Sequence, residues 1–161
     1  MIVDERLVTY INSLDRGNTP VLDEIEKEAL RDFVPIIRKE MQSFLKLLLA
    51  MQKPMRILEV GTAVGFSAVL MAEYAPKGCQ IVTIENYEKR IPIAKANFER
   101  AGKQEQITLL GDIIESHYIV ERRNRTIYKR MREYLYELTH SDELVTAVMP
   151  IGDGITVSTK L

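Results

Sequence analysis

The chain has 161 residues, 46% of them hydrophobic, and a formal net charge of −1. That is enough for one domain around one core, and so even a charge balance does not advertise a polyanionic partner. Cys79 is the only cysteine, which excludes a disulfide within the chain and fits a reducing compartment.

The opening MIVDERL is acidic and lacks the apolar stretch of a leader, and Lys46 interrupts the most apolar helical segment, 44–51. The sequence therefore predicts a cytoplasmic protein that is neither exported nor membrane-spanning. Two helical patterns come first. One spans 22–33 after Asn18-Thr19-Pro20; the other spans 36–51, with Met41, Phe44, Leu45 and Leu48 on one face, and Pro54 ends it. They are expected to cap a cleft.

The most specific segment follows, RILEVGTAVGFS at 56–67. An apolar strand carries an acid at Glu59, turns through Gly61, Thr62 and Gly65, and opens a helix of small apolar residues at Ser67. Glycines let a backbone approach a ligand closely, and the orphan N–H groups of the next helix face that ligand. A second strand run, 79–84, holds Cys79 as a small buried hydrophobe and ends in Glu85, which can accept from ribose hydroxyls. A dinucleotide site asks for G-x-G-x-x-G; here the spacing is G-x-x-x-G, and a carboxylate at Glu59 would repel a pyrophosphate. A nicotinamide cofactor is thereby disfavoured. A cofactor bearing an ammonium or sulfonium, such as S-adenosylmethionine, suits the acid. The competing reading is a plain strand-to-helix turn.

Pro92 falls inside the next helical pattern, so that helix either starts there or kinks. A third strand run spans 106–110. After Gly111-Asp112 the strand–helix alternation stops, and a charged helix is predicted over about 116–138. Its cations, Arg122, Arg123, Arg125, Lys129, Arg130 and Arg132, either grip a nucleic-acid backbone or form a solvated face opposite the stripe Ile127, Met131, Leu135 and Leu138. His117 and His140 have no partners at zinc spacing. Gly152-Asp153-Gly154 reads as the turn of a final hairpin.

These segments, with IVTIENYEKRIPIAKANFERAG, ITLLGD, RRNRTIYKRMREYLYEL and VMPIGDGITVSTK, resemble the class I methyltransferases of the caffeoyl-CoA and catechol O-methyltransferase type. Within that family, the bacterial tRNA 5-hydroxyuridine methyltransferases are the nearest likeness. The resemblance implies an α/β, Rossmann-like sheet flanked by helices, in a single domain: a helical cap over about 1–53, a cofactor half over 54–112, and a C-terminal helix and hairpin over 113–161. It implies S-adenosylmethionine and Mg2+ as cofactors, and a tRNA or, alternatively, a small-molecule hydroxyl acceptor. It also implies a homodimer and no membrane partner. Carried over by motif, Met41 would pack on the cofactor, and Gly61 with Ser67 would hold its methionine end. Glu85 would take the ribose, and Asp112 would lie near the adenine amino group unless it belongs to the far side of the junction.

The same family has two more central strands after ITLLGD, which carry its metal ligands and its catalytic residues. No Asp-Asn dipeptide occurs anywhere in this chain. A strand, crossover helix and strand take roughly 30 residues or more, so an element-sized excision is expected near Gly111 to Ile114, leaving two sheet halves with apolar edges. The protein then either carries a further segment, is truly shortened, or borrows strands from another chain. If shortened, it would be a cofactor-binding remnant without activity.

Overall fold

The computed structural model describes residues 4–111, 124–149 and 155–161, with the side chains of 124–131 left aside. The chain divides into two compact units. The first holds α1 (Glu5–Ser13), α2 (Pro20–Arg31), α3 (Lys39–Gln52), β1 (Arg56–Val60), α4 (Phe66–Tyr74), β2 (Gln80–Ile84), α5 (Ile91–Arg100) and β3 (Ile107–Leu110). The second holds α6 (Asn124–His140), β4 (Leu144–Met149) and β5 (Ile155–Lys160).

In the first unit β1, β2 and β3 form a parallel sheet in that order, each pair joined by a crossover helix. The register sets Glu59 beside Thr83 and Val60 beside Ile84. Helix α4 is apolar almost all round, and Phe66, Ala68, Val69, Leu70, Met71 and Ala72 are buried. A helix of that kind belongs in the centre of a fold. It packs on α2, α3, α5 and the sheet, with Leu22, Ile25, Ile81 and Phe98 completing the core. Each fully buried Leu, Ile or Phe contributes about 1.5–3 kcal/mol over an exposed one.

Pro20 stands at the start of α2, where its missing N–H is no loss. Pro92 sits in the first turn of α5, so that helix begins there rather than kinking. Helix α3 departs from the predicted face: Gln42 and Leu49 are its buried residues, while Met41, Phe44, Leu45 and Leu48 are half-buried. Gln42 tolerates burial because its amide donates to Glu26 Oε1 and the Ile37 carbonyl, and accepts from Asn18 Nδ2. Helix α1 falls in the expected helical cap, ahead of its two named patterns, and Asp4 caps it by accepting from the Arg6 N–H at 2.8 Å.

Among the described residues β1 pairs on one edge only, and Leu58 and Val60 are 67% and 73% exposed. In the second unit β4 and β5 pair antiparallel, Leu144 with Lys160 through Met149 with Ile155. The hairpin is as predicted, and its Gly152–Gly154 turn lies outside the described residues. The two sheets share no described ladder. Gly111 and the twelve residues 112–123 join β3 to α6, far fewer than the roughly 30 that a strand, helix and strand require. No described helix is long and apolar enough to cross a membrane.

Candidate cofactor site

Where β1 ends, the chain reverses through a left-handed Gly61 (φ 100°), Ala63 (φ 49°) and Gly65 (φ 83°) before α4 begins. Two glycines serve two ends. At Gly61 a Cβ would meet nothing within 4 Å, so the positive φ selects glycine and the space above it stays open to a ligand. At Gly65 a Cβ would fall 2.5 Å from the Phe98 ring, so this glycine seats α4 against α5. The loop is pinned from several sides. The N–H groups of Gly61 and Thr62 both donate to the Ile84 carbonyl at 2.9 and 3.1 Å, and buried Asn97 on α5 donates to the Val64 carbonyl at 2.8 Å.

Glu59 points into this turn from β1. One carboxylate oxygen accepts from the Ser67 hydroxyl at the start of α4, the other from the Thr83 hydroxyl on β2 at 2.6 Å. Thr62 Oγ1 lies 2.6 Å from Thr83 Oγ1, and both threonines are buried. Burial pushes the Glu59 carboxyl above the ordinary carboxylate range, and the Ser67 and Thr83 hydroxyls offset part of that rise.

Glu85, just past β2, is buried as well. Its Oε2 accepts from the Ala63 N–H at 2.7 Å, and its Oε1 from the Asn86 and Tyr87 N–H groups at 3.1 and 2.9 Å. A carboxylate offers about four acceptor positions, so one remains for a ribose hydroxyl. The latch also holds Ala63 in its left-handed conformation, which a non-glycine residue resists.

Glu59, Gly61, Thr62, Gly65, Ser67 and Glu85 thus converge at the carboxyl ends of β1 and β2, the place where open α/β sheets bind ligands. Met41 stands half-buried in the first turn of α3, outside this hydrogen-bonded group. Asp112 and His117 lie outside the described residues. Thr83 and Asn97 went unnoticed in the sequence; a threonine within the apolar run QIVTI was the only signal. Open space over Gly61, an acid nearby and the free N–H groups of α4 fit a cofactor with a cationic amino-acid end. Among the described residues no three His, Cys, Asp or Glu side chains cluster to hold a metal, so the donor set for Mg2+ is not found there. A cavity of about 510 Å3 elsewhere in this unit, lined by residues such as Asn12, Glu26, Ile36 and Glu40, includes no cradle residue.

The family model described as O-methyltransferase matches residues 12–117. A catechol O-methyltransferase of Niastella koreensis is 28% identical over 106 residues, which make up 66% of this chain but 42% of that protein. A caffeoyl-CoA O-methyltransferase structure from Staphylococcus aureus, so described provisionally, superposes with a TM-score of 0.82 at 20% identity, over 98% of this chain and 100% of that one. An O-methyltransferase of Bacillus cereus, solved with S-adenosylhomocysteine, gives a TM-score of 0.79 at 17% identity over 97% of each chain. These two share the fold.

Proposed function

Since the chain belongs to the O-methyltransferase family, we propose that its cradle binds S-adenosylmethionine in the service of methyl transfer to a hydroxyl oxygen. The observation that carries this reading is the joint placement of Glu59, Gly61, Ser67 and Glu85 around one open turn. Gly61 and Ser67 would hold the methionine end, with the Glu59 carboxylate drawing its ammonium. Glu85 would accept from the ribose, Met41 would pack on the cofactor, and Asp112 would lie near the adenine amino group. When bound, the cofactor supplies an electrophilic methyl group; the chain supplies binding and orientation.

The acceptor we favour is 5-hydroxyuridine in tRNA, on the likeness in sequence, with a catechol-type small molecule as the alternative. Exposed Arg132 on α6 agrees with a polyanionic acceptor. A methylation assay offering tRNA bearing 5-hydroxyuridine beside a catechol decides: transfer to the catechol alone ends the tRNA reading. Mg2+ dependence joins the proposal only where a further segment supplies the donors that the described residues lack, and a chelator should then stop transfer while leaving S-adenosylhomocysteine bound.

A second reading, a cofactor-binding protein without transferase activity, is favoured by the short 112–123 link and by the lack of a donor cluster among the described residues. It expects S-adenosylhomocysteine binding with no transfer at any metal concentration. We further propose a homodimer in the cytoplasm, where Cys79 stays a thiol. Its support is α1 with its C-cap residue, which expose Leu7, Tyr10, Ile11 and Leu14 at helical spacing. Sedimentation of Leu14→Glu tests it; unchanged mass would contradict pairing through α1.

A further inference from the structure

We propose that Thr83 is a positioning residue for the amino-acid end of the cofactor, acting through Glu59. This rests on the S-adenosylmethionine reading above. Thr83 has one hydroxyl proton, and it donates that proton to Glu59 Oε2 at 2.6 Å. The 2.6 Å contact with Thr62 must then run the other way, with Thr62 donating to Thr83 Oγ1. The result is a directed chain, Thr62 to Thr83 to Glu59, closed by the Ser67 hydroxyl on the second carboxylate oxygen. Both oxygens of Glu59 are fixed, one from β2 and one from α4, and the fix is tied to the loop that begins at Gly61. Buried polar chains are worth most when every member is satisfied, as here. Thr83 and Thr62 are fully buried in a site with open space at Gly61, so their hydroxyls serve the carboxylate rather than solvent.

The chain orients one charge, so its loss should be felt by ligands that carry the opposite charge and not by ligands that lack it. S-adenosylhomocysteine carries the amino-acid end; 5′-methylthioadenosine keeps the adenosine and thioether without it. Calorimetric titration of both ligands against the full chain and its variants is the test. Thr83→Val should weaken S-adenosylhomocysteine by about tenfold or more, the size expected for a hydrogen bond to a charged group. It should leave 5′-methylthioadenosine within about twofold, and Thr83→Ser should restore wild-type binding. An equal loss for both ligands, or no loss for either, overturns the proposal while the cofactor reading stands. If the wild type binds neither ligand, that reading fails and this inference with it. Should Thr83→Val not fold, Thr62→Val removes only the outer link: a selective loss of about threefold is expected, and equal or absent losses overturn the proposal in the same way.

Discussion

The two units differ in what they bury. Every buried hydrophobic residue among those described lies between Leu22 and Ile107, inside the first unit. In the second, β4 exposes Val145 and Val148 by 55% and 57%, and the hairpin has α6 as its packing partner. A lone two-stranded sheet is marginal in water, whereas three strands with helices packed on them can stand alone. The difference teaches that the cradle travels with a core of its own. Its parallel strands, crossover helices and central α4 make a self-sufficient layer, and Gly65 belongs to that layer as much as to the site.

Matched truncations can break this comparison. Leu70, fully buried on α4, should cost about 2–5 kcal/mol as Leu70→Ala, and Val145→Ala less than about 1 kcal/mol, both read from urea unfolding. Comparable costs would mean that the second unit has a core that the described residues do not reveal. Gly65→Ala comes next. It forces a Cβ into a left-handed backbone and against Phe98, so about 2–4 kcal/mol should be lost from strain and overpacking together. S-adenosylhomocysteine binding should fall with it, and hydrogen exchange should quicken across α4 and α5 but not across β4 and β5.

A smaller effect sharpens the comparison by charge. Glu59 holds its proton more tightly folded than unfolded, because burial disfavours the carboxylate. The native state then binds more protons between the ordinary and the raised value, so stability falls as pH rises through that window and is unaffected below it. Glu59→Gln removes this dependence. As pH rises through the ordinary carboxylate range and above it, the stability difference, variant minus wild type, should climb. A flat difference would mean that the hydroxyls of Ser67 and Thr83 offset the burial fully.

The regular elements were legible in the sequence because they are local. Apolar runs ending at acids gave β1 and β2 within a residue, and the glycine spacing gave the cradle. What was not legible depends on partners brought from afar. The pairing of Thr83 with Glu59 follows from strand register, which no single strand encodes. Gln42 looks like a surface residue on α3 until Asn18 and Glu26 close around it. Gly65 read as a ligand-facing glycine, and only the Phe98 ring shows its packing role. Helix α1 is legible only as part of a helical cap: Asp4 and the Leu7, Tyr10, Ile11, Leu14 spacing mark it, but its apolar face lies exposed.

The least costly change probes the border of the self-sufficient layer. Strand β1 has a partner on one edge among the described residues, and its outward Leu58 and Val60 are largely exposed. An open apolar edge invites pairing with other chains, and a lysine there is a common guard against it. If the first unit is complete as it stands, Leu58→Lys should change stability by no more than about 0.5 kcal/mol, as surface substitutions do. It should also slow concentration-dependent aggregation followed by light scattering. If the working protein extends the sheet beyond β1 and packs a further element on the face that carries Leu58 and Val60, the same lysine would be buried without a partner and should cost several times more, since an unpaired charge loses its water. Unfolding and scattering measured on one sample therefore separate a layer that ends at β1 from one that continues beyond it.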